Sequence, residues 1–367
     1  MNVQEVAALD RFASRAAQCY VPRSMEARVR VVVEEAGEKH EKAFRLGAVF
    51  EAIDGADAFA PTRIDAVVTM TRATLDAILD TPTSFDARSE RFAGRLSIAG
   101  DAQAAHHLLQ LLKRPSATSA ARLARARAMA PSSLSEVPER KSADARTILQ
   151  YVRASRPLCL RGVLDWPACA WSMEQFAARY GDVPLVGGPH GRVLSLRAFI
   201  GSLAGSPGSA RGPESAAPYT HGCLLPAVLE PLFPFPFFKL AAFSTAQIWA
   251  GARRDDALVT RLHCDVATSF LAQVHGRKKV RLFAPSERDR LYAFPAFNLY
   301  QPCRVDAANP DLARFPDFAD ARYVDIVVGP GDLLIVPTGW YHCVWALDDV
   351  LSVSRFLDDD LAGYFFA

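Results

Sequence analysis

Two short stretches dictate most of what this chain can become: Val259-Thr260-Arg261-Leu262-His263-Cys264-Asp265 and Gly331-Asp332-Leu333-Leu334-Ile335-Val336-Pro337-Thr338-Gly339-Trp340-Tyr341-His342. The first is β-rich, and successive side chains of a strand point to opposite faces. His263 and Asp265 therefore share a face while Cys264 points away. The second is an apolar run between Gly331 and Pro337, followed by a turn at Gly339 that delivers His342. Two imidazoles and one carboxylate make a facial donor set with open positions, which suits non-haem Fe(II) binding a cosubstrate and oxygen. Two other readings compete. In one, both histidines are satisfied core residues; in the other, the set holds Zn²⁺ in a hydrolytic or isomerase site.

A strand beginning Lys278-Lys279-Val280-Arg281-Leu282-Phe283 follows the turn His275-Gly276-Arg277. Lys278, Val280 and Leu282 share one face, and Lys279, Arg281 and Phe283 the other. If the first face is inward, a cation enters an apolar interior, which is costly unless an anion meets it. A dicarboxylate cosubstrate would supply that anion. Zinc hydrolysis offers none, so Lys278 weighs against the zinc alternative.

At 367 residues the chain exceeds the usual single domain, and two domains are expected. Half of it is hydrophobic and its formal net charge is +2, so neither disorder nor a broad basic nucleic-acid surface is indicated. The cysteines at 19, 159, 169, 223, 264, 303 and 343 form no CxxC pair and no regular framework. They are expected to be reduced packing residues of a cytoplasmic protein. No apolar run approaches the roughly 18 residues of a membrane span, and the start lacks a basic n-region and apolar h-region.

In the first third, Val6, Leu9, Phe12, Ala13 and Ala16 recur at helical spacing. Strands are expected over 28–33, over 43–53 up to the turn signal Asp54-Gly55, and over 63–71. Thr71 or Thr74 is placed to cap a helix through Leu75, Ile78 and Leu79, and Asp101 to open one through Leu108, Leu109, Leu111 and Leu112. Between them runs Gly94-Arg95-Leu96-Ser97-Ile98-Ala99-Gly100. This order resembles the sterol-carrier-protein type-two domain over about residues 20 to 115. The resemblance implies a small twisted sheet with helices around a tunnel for an apolar ligand. A packed core without ligand is an equal alternative. His106 and His107, adjacent on a helix, point too far apart to share a metal, and His40 sits among Glu38, Lys39, Glu41 and Lys42 in an expected solvated turn.

Residues 116–145 are rich in Ser, Ala and Arg and read as a linker holding a helix over 119–130. A strand and a Ser172-capped helix are expected within 151–188. Residues 206–218 are Gly/Pro/Ser-rich and must be loop, and 231–238 are too Pro-dense for a central strand.

The chemical motifs extend beyond the triad: Phe270-Leu271-Ala272-Gln273-Val274-x-Gly276-x-Lys278, Leu282-Phe283-x-Pro285 and Val328-Gly329-Pro330-Gly331-Asp332 join Thr260-x-x-His263-x-Asp265 and Pro337-x-x-Trp340-x-His342. Together they resemble the Jumonji-C, cupin-like 2-oxoglutarate oxygenases, especially the asparaginyl hydroxylases among them. The resemblance implies an α+β chain. Residues 1–115 are expected to form a small α+β domain, 116–145 a linker, and 146–367 a double-stranded β-helix of the cupin or jelly-roll type. It further implies His263, Asp265 and His342 as catalytic ligands of Fe(II). Lys278 and Thr260 would bind the distal carboxylate of 2-oxoglutarate, with Tyr219, Leu271 and Ser354 also lining the cosubstrate site. Ser354 stands where those hydroxylases carry an asparagine. The implied activity is β-hydroxylation of a peptide or protein side chain, the first domain recruiting substrate. Hydroxylation of a small or carrier-bound metabolite, N-demethylation, and a non-catalytic lipid- or peptide-binding module are the alternatives. Trp249, Trp340 and Tyr341 either line a substrate groove or pack the barrel rim.

Overall fold

A computed structural model of the chain describes residues 3–22, 26–53, 64–132, 134–185, 194–203, 219–220, 223–253 and 258–357. The expected turn at Asp54-Gly55 and loop at 206–218 lie outside them. The chain divides into two compact units, Met1–Ala120 with Phe294–Gln301, and Ala121–Ala293 with Pro302–Ala367.

The first unit runs α1 (Val3–Gln18), β1 (Ala27–Glu35), β2 (Glu38–Leu46), β3 (Phe50–Ile53), β4 (Ala66–Thr71), α2 (Arg72–Asp80), α3 (Ala87–Phe92), β5 (Leu96–Gly100) and α4 (Ala102–Leu111). Its sheet has the order β3-β2-β1-β4-β5, with β1 and β4 parallel and the other neighbours antiparallel. The single strand expected over 43–53 is two, because the chain turns at 47–49, where Gly47 N–H donates to the Val49 carbonyl. His40 lies within β2 opposite Val33, a half-buried strand residue and not part of a turn. Thr71 and Asp101 cap α2 and α4 through their side-chain oxygens, as their placement predicts, each worth about 1 kcal/mol. Val29, Val31, Phe44, Val68, Ile78, Leu108 and Phe12 are core residues, fully removed from solvent.

The unit is discontinuous in sequence. In Phe294–Gln301, the Ala296 carbonyl accepts from buried Gln110 Nε2 at 2.6 Å, and Asn298 Nδ2 donates to the Phe85 carbonyl at 2.6 Å. The His107 ring meets Phe294 edge-on, with centroids 5.5 Å apart, so this histidine packs the same segment. Asn298→Ala would leave the Phe85 carbonyl buried without its donor, a loss of about 1–3 kcal/mol. Denaturant unfolding should show that loss, and hydrogen exchange should rise locally over residues 81–86. Unchanged exchange there would remove the anchoring role.

Helix α5 (Ala117–Met129) leads to the second unit, whose strands are β6 (Glu139–Arg140), β7 (Leu158–Leu160), β8 (Pro184–Leu185), β9 (Leu194–Ser195), β10 (Cys223–Leu224), β11 (Gln247–Gly251), β12 (Thr260–Asp265), β13 (Thr268–His275), β14 (Lys278–Phe283), β15 (Tyr300–Pro302), β16 (Tyr323–Val328), β17 (Leu333–Val336), β18 (Tyr341–Ala346) and β19 (Val350–Leu357). One sheet has the order β10-β11-β19-β13-β17-β7-β6 and another β15-β12-β18-β14-β16. All neighbours are antiparallel except β6 and β7 wherever a register is described.

Alternation sorts the side chains. Val280, Leu282, Ile326, Val328, Leu334, Val336 and Val344 fill the space between the two sheets. Phe270, Ile248, Leu333, Ile335, Leu351 and Val353 point to the other side of the larger sheet. There they pack with Ile148 of α6 (Ala145–Arg153), Phe176 of α7 (Met173–Tyr180) and Phe199 of α8 (Leu196–Leu203). Two antiparallel sheets packed face to face with a shared interior form a jelly-roll, or double-stranded β-helix. α7 begins with a capping box at Ser172 and Gln175. The turn between β13 and β14 needs glycine: Gly276 has φ +65°, and a Cβ there would lie 2.1 Å from the Asp349 carbonyl oxygen.

Candidate active site

His263 on β12 and His342 on β18 are register partners, and Asp265 ends β12 on the same face. The loop before His342 is tied to that strand end, since Gly339 N–H donates to the Asp265 carbonyl at 3.0 Å. Gly339 itself has φ +79°, a left-handed conformation that glycine alone adopts without cost. Trp340 is anchored behind it, its Nε1–H donating to the Ser155 carbonyl at 2.8 Å.

The three side chains present one donor atom each, all within 4.8 Å of one another. Asp265 offers one oxygen at 3.7 Å to His263 Nε2 and the other at 3.7 Å to His342 Nε2. His263 Nδ1 lies 2.7 Å from the Arg261 carbonyl and His342 Nδ1 3.1 Å from the Trp340 carbonyl. A carbonyl only accepts, so both Nδ1 atoms donate to backbone oxygens, which leaves Nε2 of each ring turned to Asp265. That tautomer, fixed by a backbone oxygen, is the one a metal-ligating histidine needs. Burial, then the neighbouring His263, pushes the His342 pKa down to about 4 against the opposing pull of Asp265, so the ring is neutral at ordinary pH. Facial coordination at about 2.1 Å requires donors about 3 Å apart, and here each Nε2 stands 3.7 Å from an Asp265 oxygen with all three donors within 4.8 Å. The donor set therefore fits a divalent iron with open positions.

On the opposite face of β12 and β18, Cys264, Tyr341 and Cys343 join Leu262, Phe283 and Leu291 in a separate core. Burial pushes the Cys343 thiol up to about 12, so it is a packing residue with no thiolate to offer. None of the seven cysteines is joined in a disulfide among the described residues. Trp340 and Tyr341 are 1% and 2% exposed, which places both in the packing and neither in a groove.

Lys278 points inward, 2% exposed, and its Nζ donates to Tyr219 Oη at 3.0 Å. Burial alone pushes its pKa down to about 7. Lys279 and Arg281 face the other way, Lys279 over the Trp345 ring at 4.0 Å and Arg281 paired with Asp325 at 2.8 Å. Tyr219, buried and bridged to Gly251, is thus brought to the lysine although its sequence context aligns poorly with the hydroxylases. Leu271 and Ser354 are register partners on the inner face of the larger sheet, opposite this lysine-bearing sheet.

Thr260 departs from simple alternation. Three residues before His263, it belongs on the opposite face, yet it pairs with inward Val344 while His263 pairs with His342. The register shift between them is a β-bulge, and the extra residue returns Thr260 to the triad's face. No glycine or proline marks the bulge in the sequence. Trp249 received no cosubstrate role from sequence, although alternation with Ile248 and Ala250, both in the outer core, turns it inward.

A jelly-roll with a two-histidine, one-carboxylate site defines a cupin-type metal centre. Residues 226–361 match the family model of the cupin-like domain. Over 216 residues the chain is 31% identical to lysine-specific demethylase 8 of Xenopus tropicalis, covering 56% of this chain and 48% of the relative. It is 34% identical over 108 residues to JmjC domain-containing protein D of Dictyostelium discoideum, covering 29% and 23%. With tRNA wybutosine-synthesizing protein 5 of Danio rerio it shares 36% identity over 94 residues, covering 26% and 28%. The chain thus spans about half or less of the length of these curated relatives. The second unit thus contains a stretch similar to the cupin-like domain, with a His-Asp-His donor set of the kind that holds a metal ion. No helix among the described residues is long and apolar enough to cross a membrane.

Proposed function

We propose that this protein hydroxylates a C–H bond of a peptide or protein side chain, at the β-carbon, coupled to oxidative decarboxylation of 2-oxoglutarate. One juxtaposition carries the proposal: a three-donor metal site and a buried lysine hydrogen-bonded to a tyrosine face the same interior. Iron and 2-oxoglutarate, when bound, supply oxygen activation and two electrons; substrate, oxygen and keto acid become hydroxylated product, succinate and carbon dioxide. The chain's residues do the rest. His263, Asp265 and His342 hold the metal, with both imidazoles locked by Nδ1–H bonds to backbone carbonyls. Lys278 and Tyr219, with Thr260, receive the distal carboxylate. Leu271, Val280 and Leu334 wall the interior and exclude water. The first unit, which has no metal-donor cluster among its described residues, is assigned recruitment or orientation of substrate in this reading.

The relatives named lysine-specific demethylases favour a second reading, in which the C–H belongs to an N-methyl group and its hydroxylation releases the methyl. Succinate release from Fe(II)-loaded protein, with and without candidate peptides, tests the shared chemistry. Mass spectrometry then separates the readings: gain of one oxygen supports side-chain hydroxylation, and loss of a methylene supports demethylation. Succinate no higher than in a chelator-treated control would reject both.

A further inference from the structure

The carbonyl that orients the His342 ring is itself held from behind. His342 Nδ1 donates to the Trp340 carbonyl at 3.1 Å, and the Trp340 indole donates to the Ser155 carbonyl at 2.8 Å. Trp340 is buried, and its own backbone N–H closes a turn onto the Pro337 carbonyl at 3.2 Å. Side chain and backbone of this residue are therefore both tied, and the carbonyl between His342 and the indole has little freedom. The same turn is backed by α5, since a Cβ at Gly339 would lie 3.1 Å from Ala126 Cβ.

Ser155 presents its carbonyl from a strained position. It follows α6 in a Schellman turn, with Ser155 N–H donating to the Val152 carbonyl at 3.0 Å and Arg156 N–H to the Tyr151 carbonyl at 2.9 Å. Glycine is the usual residue at the left-handed position of such a turn, yet here a serine holds φ +48°. Its hydroxyl is buried and has no hydrogen-bond partner among the described residues. A residue with an unfavourable backbone and an unsatisfied polar atom persists only where its surroundings dictate its conformation, and such residues cluster at functional sites. What this turn delivers is a carbonyl fixed on the indole.

We infer that Trp340 is a positioning residue for His342, anchored on the Ser155 carbonyl: the indole bond fixes the Trp340 peptide, and that peptide's oxygen holds the imidazole with Nε2 toward the other donors. The inference rests on the metal-binding part of the proposed function. His263 supplies an internal comparison, because its Nδ1 donates to the Arg261 carbonyl of its own strand.

The test uses the full chain as wild type and as Trp340→Phe, which keeps a ring and loses the donor. Calorimetric titration should show Mn(II) bound about tenfold more weakly by the variant, the lower end of what loss of a ligand's outer hydrogen-bond partner costs. In Zn(II)-loaded protein, NMR should find the His342 Nδ1 proton exchanging with solvent about tenfold faster in Trp340→Phe, and the His263 Nδ1 proton unchanged. A merely structural role would move both or neither. Coupling is reciprocal, so Zn(II) should slow exchange of the Trp340 indole proton in the wild type by about the same tenfold, a readout that needs no variant to fold. Trp340→Phe binding Mn(II) within twofold of wild type, the two imidazole protons moving together, or indole exchange unaltered by Zn(II) overturns the positioning role, while metal uptake by the wild type leaves the proposed function standing. Wild-type protein that binds neither Mn(II) nor Zn(II) overturns both.

Discussion

Asp265→Ala protein should retain no iron through gel filtration and form succinate only at the level of a chelated control. Asp265 is the only anion in the donor set, and each of its oxygens stands 3.7 Å from one histidine Nε2. Removing it takes away charge neutralisation and the third facial position together, leaving two imidazoles with ring centroids 4.4 Å apart. Loss of a group that merely orients a ligand already costs about 10- to 100-fold in metal affinity, so loss of the ligand should exceed 100-fold. His263→Ala should behave alike. The fold should survive, because the cores on either side of β12 are built from other residues. Metal content by mass spectrometry on the folded variant decides the matter: iron held at wild-type stoichiometry would sink the triad assignment.

How far this site was legible in the sequence follows from the range of the interactions that build it. His263 and Asp265 lie two apart on one strand, so period-two geometry placed them without tertiary information. Lys278, Val280 and Leu282 were sorted correctly by the same rule. Strict alternation would turn Thr260, three residues before His263, to the opposite face, whereas the resemblance assigned it to the cosubstrate site. The bulge that resolves the conflict is set by pairing with β18, some eighty residues away along the chain, and leaves no local mark. Trp249 was equally ambiguous, since an indole near a metal site packs or binds with the same composition. The first unit shows the larger loss. Its sheet, helices and caps follow from local patterns, but Phe294–Gln301 joins it through hydrogen bonds spanning 186 and 213 residues. An irregular stretch carries no period to announce such an attachment.

Lys278→Ala should raise the apparent KM for 2-oxoglutarate about 10- to 100-fold with iron content unchanged, because a charge-assisted contact to a carboxylate is lost. The pH dependence sharpens this expectation. Burial lowers the folded-state pKa of Lys278 from 10.5 to about 7, while the unfolded chain keeps the ordinary value. Below about pH 7 both states are protonated, and the cosubstrate-free fold bears the full cost of a buried cation. From about pH 7 to 10.5 the unfolded chain binds one proton more, so this group's contribution to stability rises with pH. A bound carboxylate reverses the preference by stabilising the ammonium. Above about pH 7, cosubstrate binding therefore takes up a proton, and its Kd should rise by up to tenfold per pH unit through about pH 9. Lys278→Ala should lose that slope. Lys278→Met, which fills the space without charge, should in addition melt higher than the cosubstrate-free wild type at neutral pH, by the equivalent of about 1–3 kcal/mol. A lysine kept for structure predicts the opposite pair of results: unchanged cosubstrate affinity and a lower melting temperature. Calorimetry of 2-oxoglutarate binding across pH 6.5 to 9, run beside thermal melts of the same three proteins, distinguishes the two, and a flat wild-type pH profile would remove Lys278 from the cosubstrate site.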